Sequence, residues 1–197
     1  MKSFKQKYII KKCITGNRSA QKALYDEFSG DMFKICLSYA KDYDQANDLL
    51  QEGFLKVFQK LHKYKMTGSL GGWIRTVVVN TCIDFYRSDK WSKNKETFEP
   101  NSAADVDSAV YNKAHQIFEQ EDFLKITKEL PPGYRAILNL YFLEDYSHKE
   151  IAEKLNISVG TSKSQLYKAK NYLKNILEKT LTEEELREYG GLVRKVV

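Results

Sequence analysis

A chain of 197 residues, 42% apolar and 13% aromatic, can build a buried core and is too hydrophobic to be wholly disordered. Its net charge of +6 is unevenly spread, with basic blocks at 1–18 and 60–95 and acidic blocks at 19–59 and 96–130. Such alternation suits two nucleic-acid-facing regions joined by an acidic connector, although charge runs are as commonly just solvated faces. The start of the chain has no apolar run long enough for a signal peptide, and no later run could span a bilayer. Neither membrane insertion nor export is therefore expected, and a cytoplasmic protein is.

Residues 1–18 form a basic N-terminal arm with six basic groups and no acid. It could touch DNA or a protein partner, or be only a solvated helix start. The first helical domain is expected over 19–92. Ala23, Leu24 and Phe28 begin one helix, and Met32, Phe33, Leu37 and Ala40 make the next stripe. Leu50, Phe54, Val57, Phe58 and Leu61 then recur at helical spacing. Gly53 should cost that helix about 0.5–1 kcal/mol. Gly68, Gly71 and Gly72 mark a loop before "WIRTVVVNTCIDFYR". The run 77–79 could be a buried strand, but the spacing favours helix, with Trp73, Val77, Thr81 and Phe85 on one side. Trp73 is read as core, and Thr76, Asn80, Asp84 and Arg87 share the other side. Cys13, Cys36 and Cys82 are odd in number and widely spaced, so they read as small buried hydrophobes, not disulfides or zinc ligands.

Periodicity lapses over 93–112, a flexible acidic linker that could span about 60–70 Å when extended. A second helical domain is expected over 113–180, and a short C-terminal extension over 181–197 with a capping box at Thr182 and Glu185. The fold class is thus all-α, in two small domains.

Within the second domain, "SHKEIAEKLNISVGTSKSQLYKAK" (147–170) has the proportions of a helix-turn-helix. Ser147 and Glu150 make a capping box, Asn156 suits a left-handed helix stop, and Ser158 can cap the next helix. Val159, Ser162, Leu166 and Ala169 should face inward. Lys163, Ser164, Tyr167 and Lys168 should lie exposed near the N-terminal half, the part that reaches base edges in the major groove. A plain helical hairpin is the alternative, but the acid-free stretch 158–175 argues against it.

An enzyme is poorly supported. His62, His115 and His148 lie far apart, His148 reads as an exposed surface residue, and no HExxH, P-loop or GxSxG pattern occurs. Neither a metal nor a cofactor is expected.

Three segments in order, "DQANDLLQEGFLKVFQKL" (44–61), "GGWIRTVVVNTCIDFYR" (71–87) and "LPPGYRAILNLYFLEDYSHKEIAEKLNISVGTSKSQLYKAK" (130–170), resemble the extracytoplasmic-function class of bacterial sigma-70-type sigma factors. The resemblance implies that the chain binds core RNA polymerase and directs it to promoters. Asp48, Gln51, Glu52 and Phe54 match the segment that docks on the coiled coil of the β′ subunit. Lys63, Tyr64, Lys65, Arg75, Asn80, Asp84 and Arg87 fall in the part that reads and melts the −10 element as single strand. Asn80 matches most closely, whereas Asp84 could equally be a helix partner of Arg87. Thr161, Lys163, Ser164, Gln165, Tyr167 and Lys168 would read the double-stranded −35 element. Lysine stands where arginine is usual at several of these places, which removes bidentate reading of guanine. The β flap is a further polymerase contact the resemblance implies, and the class is often held by a dedicated anti-sigma protein. The rival is a stand-alone helix-turn-helix regulator, which leaves 44–61 without a role.

Overall fold

The computed structural model describes residues 2–88 and 128–180. The linker at 93–112, the extension at 181–197 and His115 lie outside the described residues. Two compact units, 1–85 and 86–197, make up the chain. Every regular element among the described residues is helical, including the 77–79 run, so the strand alternative fails.

In the first unit, α1 (Lys2–Ile14) covers most of the expected basic arm. Ile10 and Cys13, one turn apart, are buried, so α1 packs along its neighbours instead of being wholly solvated. Asn17 caps α2 (Arg18–Tyr39) by accepting from the Ala20 N–H at 2.9 Å. This helix runs unbroken for 22 residues, where two stripes were expected.

Asp42 caps α3 (Tyr43–Lys60) in the same way, accepting from the Gln45 N–H at 2.8 Å. Its buried stripe of Ala46, Leu49, Leu50, Phe54 and Val57 matches the apolar period of the sequence. Full burial of a Leu or Phe here contributes about 1.5–3 kcal/mol. A 3₁₀ turn, Leu61–Lys63, ends the helix and packs against α1 and α3.

Helix α4 (Leu70–Arg87) starts earlier than expected, so Gly71 and Gly72 lie in its first turn and not in a loop. Ser69 Oγ accepts from the Gly72 N–H at 3.0 Å. Gly53 has a packing reason that propensity does not reveal. A Cβ at this position would meet Val78 Cγ2 at 3.1 Å, so the glycine lets α3 and α4 approach closely. Cys13, Cys36 and Cys82 are buried, as expected of small hydrophobes.

In the second unit, Pro132 opens α5 (Pro132–Leu138), where its missing N–H costs nothing. The helix widens into a π turn, Asn139–Leu143. Arg135 is 4% exposed, and its guanidinium donates to the Lys128 and Leu130 carbonyls at 2.7 and 3.0 Å. Burial lowers its pKa to about 10, so it stays charged at neutral pH.

Helices α6 (His148–Leu155) and α7 (Val159–Thr180) follow, with α7 packed on both α5 and α6. Ser147 and Glu150 form the expected capping box, and Asn156 adopts φ 56°, ψ 50°, the left-handed stop. Ser158 Oγ accepts from the Thr161 N–H at 2.9 Å. Ser162, Leu166 and Ala169 are buried as expected, but Val159 is 43% exposed because it stands before the first turn closes on the core.

Candidate nucleic-acid interface

On α3, Asp48, Gln51 and Glu52 are exposed and share one face. Phe54 does not join them. It is 2% exposed, with its ring 4.7 Å from Tyr25 and 6.1 Å from Phe58, so it stabilises the core and cannot meet a partner directly. Leu55 was missed by the periodic reading. It is 58% exposed, and its spacing from Asp48, Gln51 and Glu52 puts it on the same face, one turn further along the helix. An apolar residue off the buried stripe was the available signal.

Lys63 and Lys65 are exposed beside the loop that precedes α4. Tyr64 between them turns inward, contrary to its expected role as a DNA platform. It is 9% exposed, its hydroxyl donates to the Gly68 carbonyl at 2.9 Å, and its ring lies 5.5 Å from Trp73. The loop is thereby pinned at both ends, with Met66 at φ 59° and 44% exposed. A left-handed backbone at a non-glycine residue is strained, a cost that local tethering sustains. Trp73 is half-buried, not core.

On α4, Asn80 is half-buried and Arg87, seven residues on, lies exposed on the same side. Arg75 is set apart from Asn80 by about 140° around the helix, so the two do not share a face. Asp84 is exposed, and its carboxylate pairs with Lys56 and not with Arg87. Lys56 Nζ lies 3.3 Å from Asp84 Oδ2 and 3.0 Å from Glu52 Oε1, tying α4 to α3. Burial works against the Lys56 charge, but Glu52 and then Asp84 outweigh it and raise its pKa.

In the helix-turn-helix, Lys163 and Tyr167 are exposed, and Thr161 and Lys168 are half-buried. Ser164 and Gln165 depart from expectation, at 6% and 3% exposed. Ser164 is short enough to bond its own helix, donating to the Thr161 carbonyl at 3.1 Å. Lys170 also turns inward, 5% exposed, with Nζ 5.1 Å from the Phe142 ring centre. His148 is not a bare surface residue: its ring stacks on Tyr141 at 5.0 Å and Nδ1 lies 2.9 Å from Ser162 Oγ. Among the described residues no cluster of His, Cys, Asp or Glu could hold a metal ion.

Residues 24–92 match the family described as Sigma-70 region 2, and residues 120–173 match Sigma-70, region 4. The ECF RNA polymerase sigma factor SigM of Bacillus subtilis (strain 168) is 31% identical over 161 residues, 82% of this chain and 97% of SigM. The RNA polymerase sigma factor SigZ of the same organism is 32% identical over 178 residues, 86% of this chain and 93% of SigZ. Among solved structures, the sigma factor RpoE in complex with the anti-sigma factor NepR from Bartonella quintana has a TM-score of 0.48 and 22% identity, covering 81% of this chain and 98% of its own.

Proposed function

The chain belongs to the extracytoplasmic-function class of sigma-70-type RNA polymerase sigma factors, and on that premise we propose how its parts divide the work of initiation. As a sigma factor it binds core RNA polymerase and directs transcription from promoters by reading their −35 and −10 elements. Phosphodiester chemistry belongs to the polymerase, and this chain supplies specificity and strand opening. No described helix is long and apolar enough to cross a membrane, and promoter reading is cytoplasmic work.

In this reading 19–92 is the polymerase-docking and −10 domain, 93–112 the tether and 113–180 the −35 domain. Asp48, Gln51 and Glu52 precede Leu55 on one side of α3, an acidic and polar strip ending in an apolar residue that suits a basic coiled-coil face. Lys63, Lys65 and Arg87 hold phosphates, Asn80 reads a base edge, and the Tyr64-pinned loop steadies an unstacked base. Asp84 and Tyr64 position these elements without touching DNA. In the C-terminal domain Lys163, Tyr167, Lys168 and Thr161 face the major groove, while Ser164 and Gln165 set the seat of α7. Polymerase holds both domains at promoter spacing, so two weak contacts act as one strong one. A dedicated anti-sigma protein is the expected class of regulator.

The observation that carries this reading is the presence in one chain of both a region 2 match over 24–92 and a region 4 match over 120–173. A stand-alone helix-turn-helix regulator accounts only for the second. Run-off transcription with purified core polymerase and a fragment library of the source genome tests the reading. Factor-dependent transcripts are expected; their absence with an active core would sink it.

A further inference from the structure

Helix α1 buries only part of its circumference. Ile10 and Cys13 make the inner side, while Tyr8 is 60% exposed and Ile14 48%. Lys7, Lys11 and Lys12 are exposed as well, and Lys12 Nζ sits 4.7 Å from the Tyr8 ring centre. Tyr8, Lys11 and Lys12 are spaced i, i+3 and i+4, so one outward face carries an aromatic ring with two ammonium groups. No acid occurs anywhere in 1–18.

Helix stability explains only some of this. Lys11 and Lys12 occupy the last turn, where cations complement the helix dipole. That does not account for Lys7, which lies a turn earlier, or for a tyrosine left in solvent. An ordinary solvated helix would also be expected to intersperse acids with its lysines.

Location supplies the second observation. Helix α1 packs against the 3₁₀ turn Leu61–Lys63, which leads directly into Lys65 and the pinned loop before α4. Helix α1 therefore stands beside the turn that carries Lys63, with Tyr8, Lys11 and Lys12 on its solvent side. Phosphates need cations and unstacked bases need a flat apolar ring, and Tyr8 with Lys11 and Lys12 offers both at nucleotide scale.

Resting on the sigma-factor reading, we propose that the outward face of α1 is a single-strand DNA site that extends the −10 surface. Tyr8 stacks an exposed base, and Lys11 and Lys12 neutralise the flanking phosphates. A polymerase surface is a poorer fit, because the docking face of α3 is acidic and calls for a basic partner that would repel these lysines.

The test uses holoenzyme assembled from the full chain and core polymerase. Two mixed-sequence probes serve, a pre-opened bubble duplex and its fully paired counterpart. Tyr8→Ala should weaken bubble binding roughly five- to a hundred-fold while leaving the paired duplex and core affinity unchanged. Lys11→Gln with Lys12→Gln should reduce the log–log salt slope for the bubble by about 1.4, for two single-strand phosphates. Thermal melting of each variant checks that α1 remains docked, and Tyr8→Trp, which keeps a stacking ring, should restore binding if Tyr8→Ala lowers the melting temperature. Unchanged bubble binding in both variants overturns the inference alone. Loss of core affinity instead assigns the face to polymerase and also overturns it. Failure of the wild-type holoenzyme to prefer the bubble counts against the sigma-factor reading as well.

Discussion

His148 Nδ1 lies 2.9 Å from Ser162 Oγ, joining the first turn of α6 to the first turn of α7. The contact fixes how the recognition helix leaves the turn, because Ser162 is fully buried where the two helices cross. Ser162→Ala should cost about 0.5–1.5 kcal/mol, the net worth of one such hydrogen bond. Ser162→Leu should cost about 1–3 kcal/mol by overpacking. Urea unfolding of the full chain measures both. Promoter assays should show lost −35 dependence with core binding intact.

Gly53 and Val78 form a coupled pair across α3 and α4. Gly53→Ala alone gains about 1 kcal/mol of helix propensity but drives its new methyl against Val78 Cγ2, 3.1 Å away. The single change should be neutral or destabilising. Placed in a Val78→Ala background, the same change should be stabilising by about 1 kcal/mol. A double-mutant cycle in urea reads the coupling, and additive effects would mean that the helices move apart freely.

Asp84 and Asn80 should separate positioning from reading. Asp84→Ala breaks the link to Lys56, an exposed pair worth about 1 kcal/mol at most, and should leave promoter opening near wild type. Asn80→Ala should leave core affinity in place while reducing opening. Permanganate reactivity of thymines in the −10 region, compared with core-binding affinity, checks both. Equal loss of opening in the two variants would return Asp84 to the DNA surface.

Glu150 gives the capping box a pH signature. The Ser147 hydroxyl, and then its N–H, hold the Glu150 carboxyl below the usual carboxylate range. The folded form thus binds the proton less tightly than the unfolded form. Its contribution is complete above the unfolded value of about 4.3 and is lost as pH falls through the lower folded value. Wild-type stability should therefore drop on acidification across that window. Glu150→Gln should start less stable at neutral pH and show a shallower drop, read from urea midpoints at stepped pH.

Much of the fold was legible because it depends on neighbours in sequence. Caps at Ser147 and Ser158 act over three residues, and the Leu50, Phe54, Val57 stripe repeats over one or two turns. Asn156 in the left-handed conformation follows from its own side chain. Less was legible at the interface. Tyr64, Ser164 and Gln165 are polar residues in basic stretches, and nothing local distinguishes an inward rotamer from an outward one. Leu55 is marked in the sequence only as an apolar residue off the buried stripe, and its exposure follows from how the neighbouring helices pack.

By itself, then, the sequence determined the helical class, the helix-turn-helix with its capped turn, and the family through three ordered motifs. Tertiary structure alone decided which polar groups are available to partners. Lys56 meets Asp84 across 28 residues and His148 meets Ser162 across 14, both beyond the reach of helical periodicity. The physical reason is that burial and pairing are set by which helices cross and how closely. At Gly53 that closeness depends on one missing methyl group.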